Sequence, residues 1–200
     1  MSPFKSIGLI AVALLVSACG ILPEKQAITL YNPQLNVKPD PSWSHTNAQI
    51  SVRRPTALGL IDSPRILVRP NANEIQVYAG AAWVDSAPEL VQSAVVQLLE
   101  DSEATRTTVR RGSGIPGEYE LLMDLRHFEA DYSGGATPVA VVEISAKLVR
   151  AEASGVIENR VFRATAPASG TDVAQVVSAF DTALSKASAD IAGWTLQNAR

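Results

Sequence analysis

The chain has 200 residues, 46% of them hydrophobic and 18% charged, with a formal net charge of −3. A balance this mild and unpolarised lacks the basic stripe of a nucleic-acid surface. One cysteine and two histidines leave no disulfide framework and a poor set of metal ligands.

Residues 1–18 have the order of a signal peptide: Lys5, then the apolar run IGLIAVALLVSA (7–18) ending in small residues. The run is shorter than the ~20 apolar residues that a spanning helix requires. The lone cysteine, Cys19, follows at once. Removal of residues 1–18 would take Lys5 with it and move the net charge to −4. Residues 19–26 read as a tether, and 27–200 as a single domain.

The domain opens with a short strand, ITLYN (28–32), and then a proline- and turn-rich loop over 32–47. Strands are expected at 49–55, 63–70 and 74–80, the last two joined as a hairpin through Asn71–Asn73. Ser86, Pro88 and Glu89 have capping-box spacing and open an amphipathic helix that runs to about Glu103, with Leu90, Ala94 or Val95, and Leu98 on its apolar face. Gln92 falls outside that face. A short strand is expected at 107–111, followed by a glycine-rich loop over 111–119.

Three long strands come next, over 118–130, 138–150 and 156–165. Their period-two alternation predicts a meander with one buried face. The final segment, 171–198, carries Val173, Val177, Phe180, Leu184, Ala187, Ile191 and Trp194 at steps of four and three. That stripe suits a helix covering a sheet, with a coiled-coil seam as the alternative. The expected fold is therefore α/β: a mostly antiparallel β-sheet with two amphipathic helices packed on one face.

Candidate chemistry is sparse. His127 lies near Asp124, Glu129 and Asp131 in sequence and could act as a base, which keeps open a lipid-anchored periplasmic hydrolase. His45 sits in the proline-rich loop. The GSG at 112–114 lacks the flanks of a nucleophile elbow, and no phosphate loop or dinucleotide fingerprint is present. No catalytic, cofactor or metal site is assigned. Tyr78 and Trp83 could form a partner surface, since both residue types are enriched at binding hot spots, or could pack the first helix onto the sheet.

Two resemblances add to this reading. Val16-Ser17-Ala18-Cys19 resembles the bacterial lipobox, which implies acylation of Cys19 and cleavage before it. Gly20 after the cysteine, in place of aspartate, implies sorting to the outer membrane, facing the periplasm. The segment Leu60–Ile66, the strand ending at Tyr78, then Trp83 and Pro88 resemble the ABC-type transport auxiliary lipoprotein family. That resemblance implies a non-enzymatic part of an intermembrane lipid transport system, with an MCE-domain protein as partner, the outer membrane as support and self-association in some members. A structural lipoprotein of another envelope machine is the remaining alternative.

Overall fold

The computed structural model describes residues 27–152 and 155–200. The expected signal peptide (1–18), Cys19 and the expected tether (19–26) lie outside that range. Nine strands form one sheet: β1 (Thr29–Tyr31), β2 (Gln49–Val52), β3 (Thr56–Ala57), β4 (Arg65–Arg69), β5 (Gln76–Trp83), β6 (Thr107–Arg110), β7 (Tyr119–Asp131), β8 (Val139–Arg150) and β9 (Val156–Pro167). Helix α1 (Ala87–Asp101) stands between β5 and β6, and α2 (Val173–Asn198) ends the chain.

Strand β7 is the spine of the sheet. One edge carries the expected meander, β7–β8–β9, in two long antiparallel ladders. The other edge is shared by three short strands laid end to end. β2, β3 and β4 meet β7 at Tyr119–Leu121, Asp124–Leu125 and Glu129–Asp131, all in parallel. Beyond them, β6 pairs with β2, β5 with β4, and β1 with β5. The sheet is thus mixed, with its longest ladders antiparallel.

Alternation puts one face of these strands in the core. Leu121, Met123 and Leu125 of β7 lie opposite Leu148, Ala146 and Ile144 of β8, and all are buried. A register shift between Leu125 and His127 then adds one residue, Arg126, to β7. A bulge reverses the parity of everything after it. Phe128 and Ala130 therefore turn inward, while His127, Glu129 and Asp131 share the outer face.

Both helices cover the inner face. The α2 stripe from Val177 to Trp194 is buried against β8 and β9, so it packs on the sheet rather than forming a coiled-coil seam. A second row, including Val176, Ala183, Ser188 and Ala192, is buried as well. Helix α1 is wedged between α2, β2 and β6 and is buried on more than its expected face. Gln92 is a correction of that kind. It is buried, with Nε2 donating to the Val52 carbonyl at 3.0 Å and Oε1 accepting from Arg110 Nη1 at 3.0 Å.

The capping box at α1 does not form, although Ser86 is the N-cap. Arg54 takes both side chains: Nη2 donates to Ser86 Oγ at 3.0 Å and Nε to Glu89 Oε1 at 2.6 Å. Arg54 also pairs with Asp62, and this bond holds the Asp62 carboxyl below its ordinary range.

The loop over 32–47 is an ordered strap across α2. Pro33, Pro39 and Pro41 favour extended backbone. Tyr31, Pro33, Leu35, Val37 and Pro39 alternate half-buried with exposed neighbours. The Gln34 amide donates to Asp181 Oδ1 at 2.9 Å and the Asn36 amide to Ser185 Oγ at 2.8 Å. Asp181, Ser185, Ala189 and Gly193 recur every four residues, so they form one row along the helix. At Gly193 the strap closes onto this row: a Cβ there would stand 2.7 Å from the Trp43 indole nitrogen. Glycine costs a helix interior about 1 kcal/mol relative to alanine, and the seat for Trp43 accounts for its presence. Gly193→Leu is expected to displace Trp43, measured as faster amide hydrogen exchange around Trp43 and Thr46 with the exchange of β7 and β8 unchanged.

Asp181 gives the strap a pH response. Burial raises its pKa, and the Gln34 amide bond offsets part of that rise. A carboxyl whose pKa is raised on folding binds more protons folded than unfolded, so its contribution to stability grows as pH falls through the raised value. Asp181→Asn keeps an acceptor for the amide and removes the charge. Between the ordinary aspartate range and neutrality, the stability gap between variant and parent is expected to narrow on acidification. Chemical denaturation at a series of pH values measures it.

Candidate functional site: the outer sheet face and its Trp83 corner

The bulge in β7 builds a polar cluster on the face away from the helices. Glu129 is its centre, with 3% of its side chain exposed. Its Oε1 accepts from Arg69 Nε at 3.0 Å and from His127 Nδ1 at 2.6 Å, and its Oε2 accepts from the Phe128 amide at 3.1 Å. Arg69 Nη1 also donates to the Ala72 carbonyl at 2.8 Å, which ties in the β4–β5 turn. Since a carboxylate only accepts, His127 carries its proton on Nδ1 in the neutral form and leaves Nε2 as an acceptor.

A histidine oriented by a carboxylate is two thirds of a nucleophilic triad. The third member is missing here: among the described residues no hydroxyl or thiol is hydrogen-bonded to His127. In register, His127 lies opposite Glu143, and Glu143 Oε2 accepts from Arg163 Nη1 at 2.7 Å. His127 thus sits among charged partners, with Glu129 fully engaged in joining β4 to β7. No group of three or more His, Cys, Asp or Glu in metal-binding range occurs among the described residues. His45 is exposed on the strap, away from the cluster.

The structure separates Tyr78 from Trp83. Trp83 is 1% exposed and belongs to the core, not the surface. It meets Phe128 and Phe180 edge-on, with ring centroids 5.7 Å and 5.1 Å apart. Those two phenylalanines stack at 4.9 Å. The aromatic trio therefore fastens β5, β7 and α2 together. Edge-on pairs of this kind contribute about 0.5–1.5 kcal/mol beyond area burial.

Tyr78 is half-buried, with its hydroxyl 2.9 Å from that of Tyr132 at the end of β7. Burial, and then this hydrogen bond, raise its pKa above the ordinary tyrosine value. Tyr78 is therefore a neutral hydrogen-bonding group that packs against the core.

A groove of about 730 Å³ lies beside Trp43, between the strap and α2. Its lining mixes polar side chains, Lys38, Asp40 and Asp190 among them, with apolar ones such as Val37, Trp43 and Ala189. Among the described residues no helix is long and apolar enough to cross a membrane.

Comparison with known proteins places this architecture. Residues 29–192, from β1 into the last turns of α2, match the family described as the ABC-type transport auxiliary lipoprotein component. The chain belongs to that family. The crystal structure of protein XCC0632 from Xanthomonas campestris is 39% identical and superposes with a TM-score of 0.81, covering 85% of this chain and 96% of that one. Protein CT253 of Chlamydia trachomatis shares the fold alone, with 6% identity, a TM-score of 0.55 and coverage of 77% and 98%. Uncharacterized protein bll6063 of Bradyrhizobium diazoefficiens is 26% identical over 156 residues, 78% of this chain. The chain spans 41% of that relative's length.

The matched range includes the strap, the Glu129 cluster and the aromatic trio. The sequence points to His127 and Trp83 but not to the pairing of Arg69 with the buried Glu129. Its available signal was the break in the β7 alternation after Leu125.

Proposed function

We propose that this member of the auxiliary lipoprotein family is a non-enzymatic outer-membrane protein that docks an MCE-domain protein of an ABC-type lipid transport system. Acylated Cys19 would hold it to the membrane on the periplasmic side. The family match over 29–192 carries the reading, together with the lipobox at 16–19.

Two experiments test this reading. Co-purification in detergent with the MCE-domain protein of the same transport system is expected to recover a complex, and repeated failure to do so counts against docking. Cys19→Ser is expected to abolish lipid labelling and to leave the precursor uncut. Normal processing and membrane association of that variant would exclude the anchor.

A further inference from the structure

The three most exposed large apolar side chains among the described residues lie at one corner of the domain: Leu58 is 83% exposed, Ile28 64% and Leu30 61%, with Leu60 and Val84 also open to solvent there, while a second exposed group, Val156, Ile157 and Val161, is on β9. Backbone contacts join the segments that carry the corner residues, β1 to the end of β5 and the end of β5 to the 58–64 loop. Leu30 pairs with Ala82, and the Val84 amide donates to the Tyr31 carbonyl at 2.9 Å. The next amide, that of Trp83, donates to the Pro64 carbonyl at 2.7 Å, joining β5 to the 58–64 loop. Because Trp83 points into the core, Ala82 and Val84 point away from it.

The loop itself is a tight turn. The Ile61 amide donates to the Leu58 carbonyl at 2.9 Å, and Gly59 adopts a positive φ of 35° with open space around its Cα. Ile61 packs against the core, which leaves Leu58 and Leu60 at the tip. Exposed leucines one at a time are ordinary, but several exposed apolar side chains brought to one corner mark an interaction surface. Arg65, exposed and opposite Ala82, adds a cation to the same corner.

We propose that Ile28, Leu30, Leu58, Leu60 and Val84 seat the domain on the phospholipid leaflet that holds the Cys19 anchor, with Arg65 at the headgroup phosphates. This rests on the lipid-anchor reading above. The length of the chain before β1 identifies the occupant. Nine residue steps separate Cys19 from Ile28, which at ~3.4 Å each reach about 30 Å at most. Ile28 is itself part of the corner, so the first residues of the domain that the tether presents to the leaflet are the apolar ones. Confinement within that reach gives the corner a high effective concentration at the lipid surface, so a patch too weak to bind membranes alone is held there. Side chains of this kind bury roughly 5–10 Å into the boundary between headgroups and acyl chains.

The test uses the full-length lipidated chain in vesicles of phosphatidylethanolamine and phosphatidylglycerol. Acylation of Cys19 consumes the chain's one thiol, so a cysteine introduced by Leu58→Cys, Leu30→Cys or Glu158→Cys is labelled alone with an environment-sensitive fluorophore. Position 158 is on β9, at the opposite edge of the sheet from β1. Labels at 58 and 30 are expected to shift to the blue and to be quenched by nitroxides on the lipid acyl chains, while the label at 158 is not. Leu58→Asp with Leu60→Asp should abolish the quenching at position 30. Equal access of aqueous iodide to all three labels, with no nitroxide quenching, overturns the seating. Shielding from iodide without nitroxide quenching also overturns it and assigns the corner to a second copy or a protein partner. If Cys19 itself reacts and the chain stays off the vesicles, the anchor falls as well. With the anchor intact and no quenching, the seating alone falls.

Discussion

Trp83→Ala is expected to destabilise the domain by about 3–5 kcal/mol, the range for removing a large aromatic side chain from a packed core. Trp83 touches both Phe128 and Phe180 edge-on, so the substitution opens a cavity where β5, β7 and α2 meet. The surrounding residues cannot collapse into it, because Phe128 is fixed by the β7–β8 ladder and Phe180 by the helix. At about 2–4 °C per kcal/mol for a domain of this size, the melting temperature should fall by roughly 6–20 °C. Calorimetry of the variant measures this directly. A loss below about 1 kcal/mol would mean that the indole is not part of the core. Any partner binding should survive at temperatures where the variant remains folded.

The second large effect belongs to Glu129. Removing one member of a buried ion pair costs roughly 3–5 kcal/mol, since the other charge is left without a partner. Arg69 retains some contact with solvent and keeps its bond to Ala72. Glu129→Ala is therefore expected at the low end, about 3 kcal/mol. Glu129→Gln should cost less, because an amide oxygen still accepts one of the three donors. Urea titration of the two variants against the parent separates these outcomes. His127→Ala serves as a companion. Its ring is partly exposed and contributes one of those donors, so its effect on stability should be smaller than that of Glu129→Ala. Normal function of His127→Ala in cells would remove the hydrolase alternative as well.

Long-range order was legible in the sequence where one period persisted. Twelve residues of alternation in β8 specify a strand and the face it buries. The α2 stripe specifies a helix that covers a sheet. The short strands carry no such information. β2, β3 and β4 are two to five residues long, and nothing in QISV, TA or RILVR says that all three line up in parallel along one edge of β7. The bulge at Arg126 was equally hidden. Read as unbroken alternation, β7 places Phe128 outside, whereas one inserted residue makes Phe128 a centre of the core and Glu129 a centre of the outer face.

The functional region follows the same division. Ser86 and Glu89 have the spacing of a local cap, but Arg54, 32 and 35 positions earlier in the chain, claims both. Trp83 was ambiguous because the same aromatic residue serves cores and interfaces, and only its contacts with Phe128 and Phe180 decide. Gly193 offered a usable clue, since a glycine inside a helix needs a reason. The reason is Trp43, 150 residues away in the chain.

The strap has a consequence for timing. Its amides at Gln34 and Asn36 wait for Asp181 and Ser185, 147 and 149 residues downstream. Contacts this distant are slow to form, because a long loop must close before they stabilise anything. The segment that leaves the ribosome early thus docks only after the last helix has arrived. Until then the strap cannot lock, although local pairings such as β7–β8–β9 need not wait. On the lipid-anchored reading proposed above, in which the chain crosses a membrane before it folds, delayed closure keeps the strap free until the whole length is across.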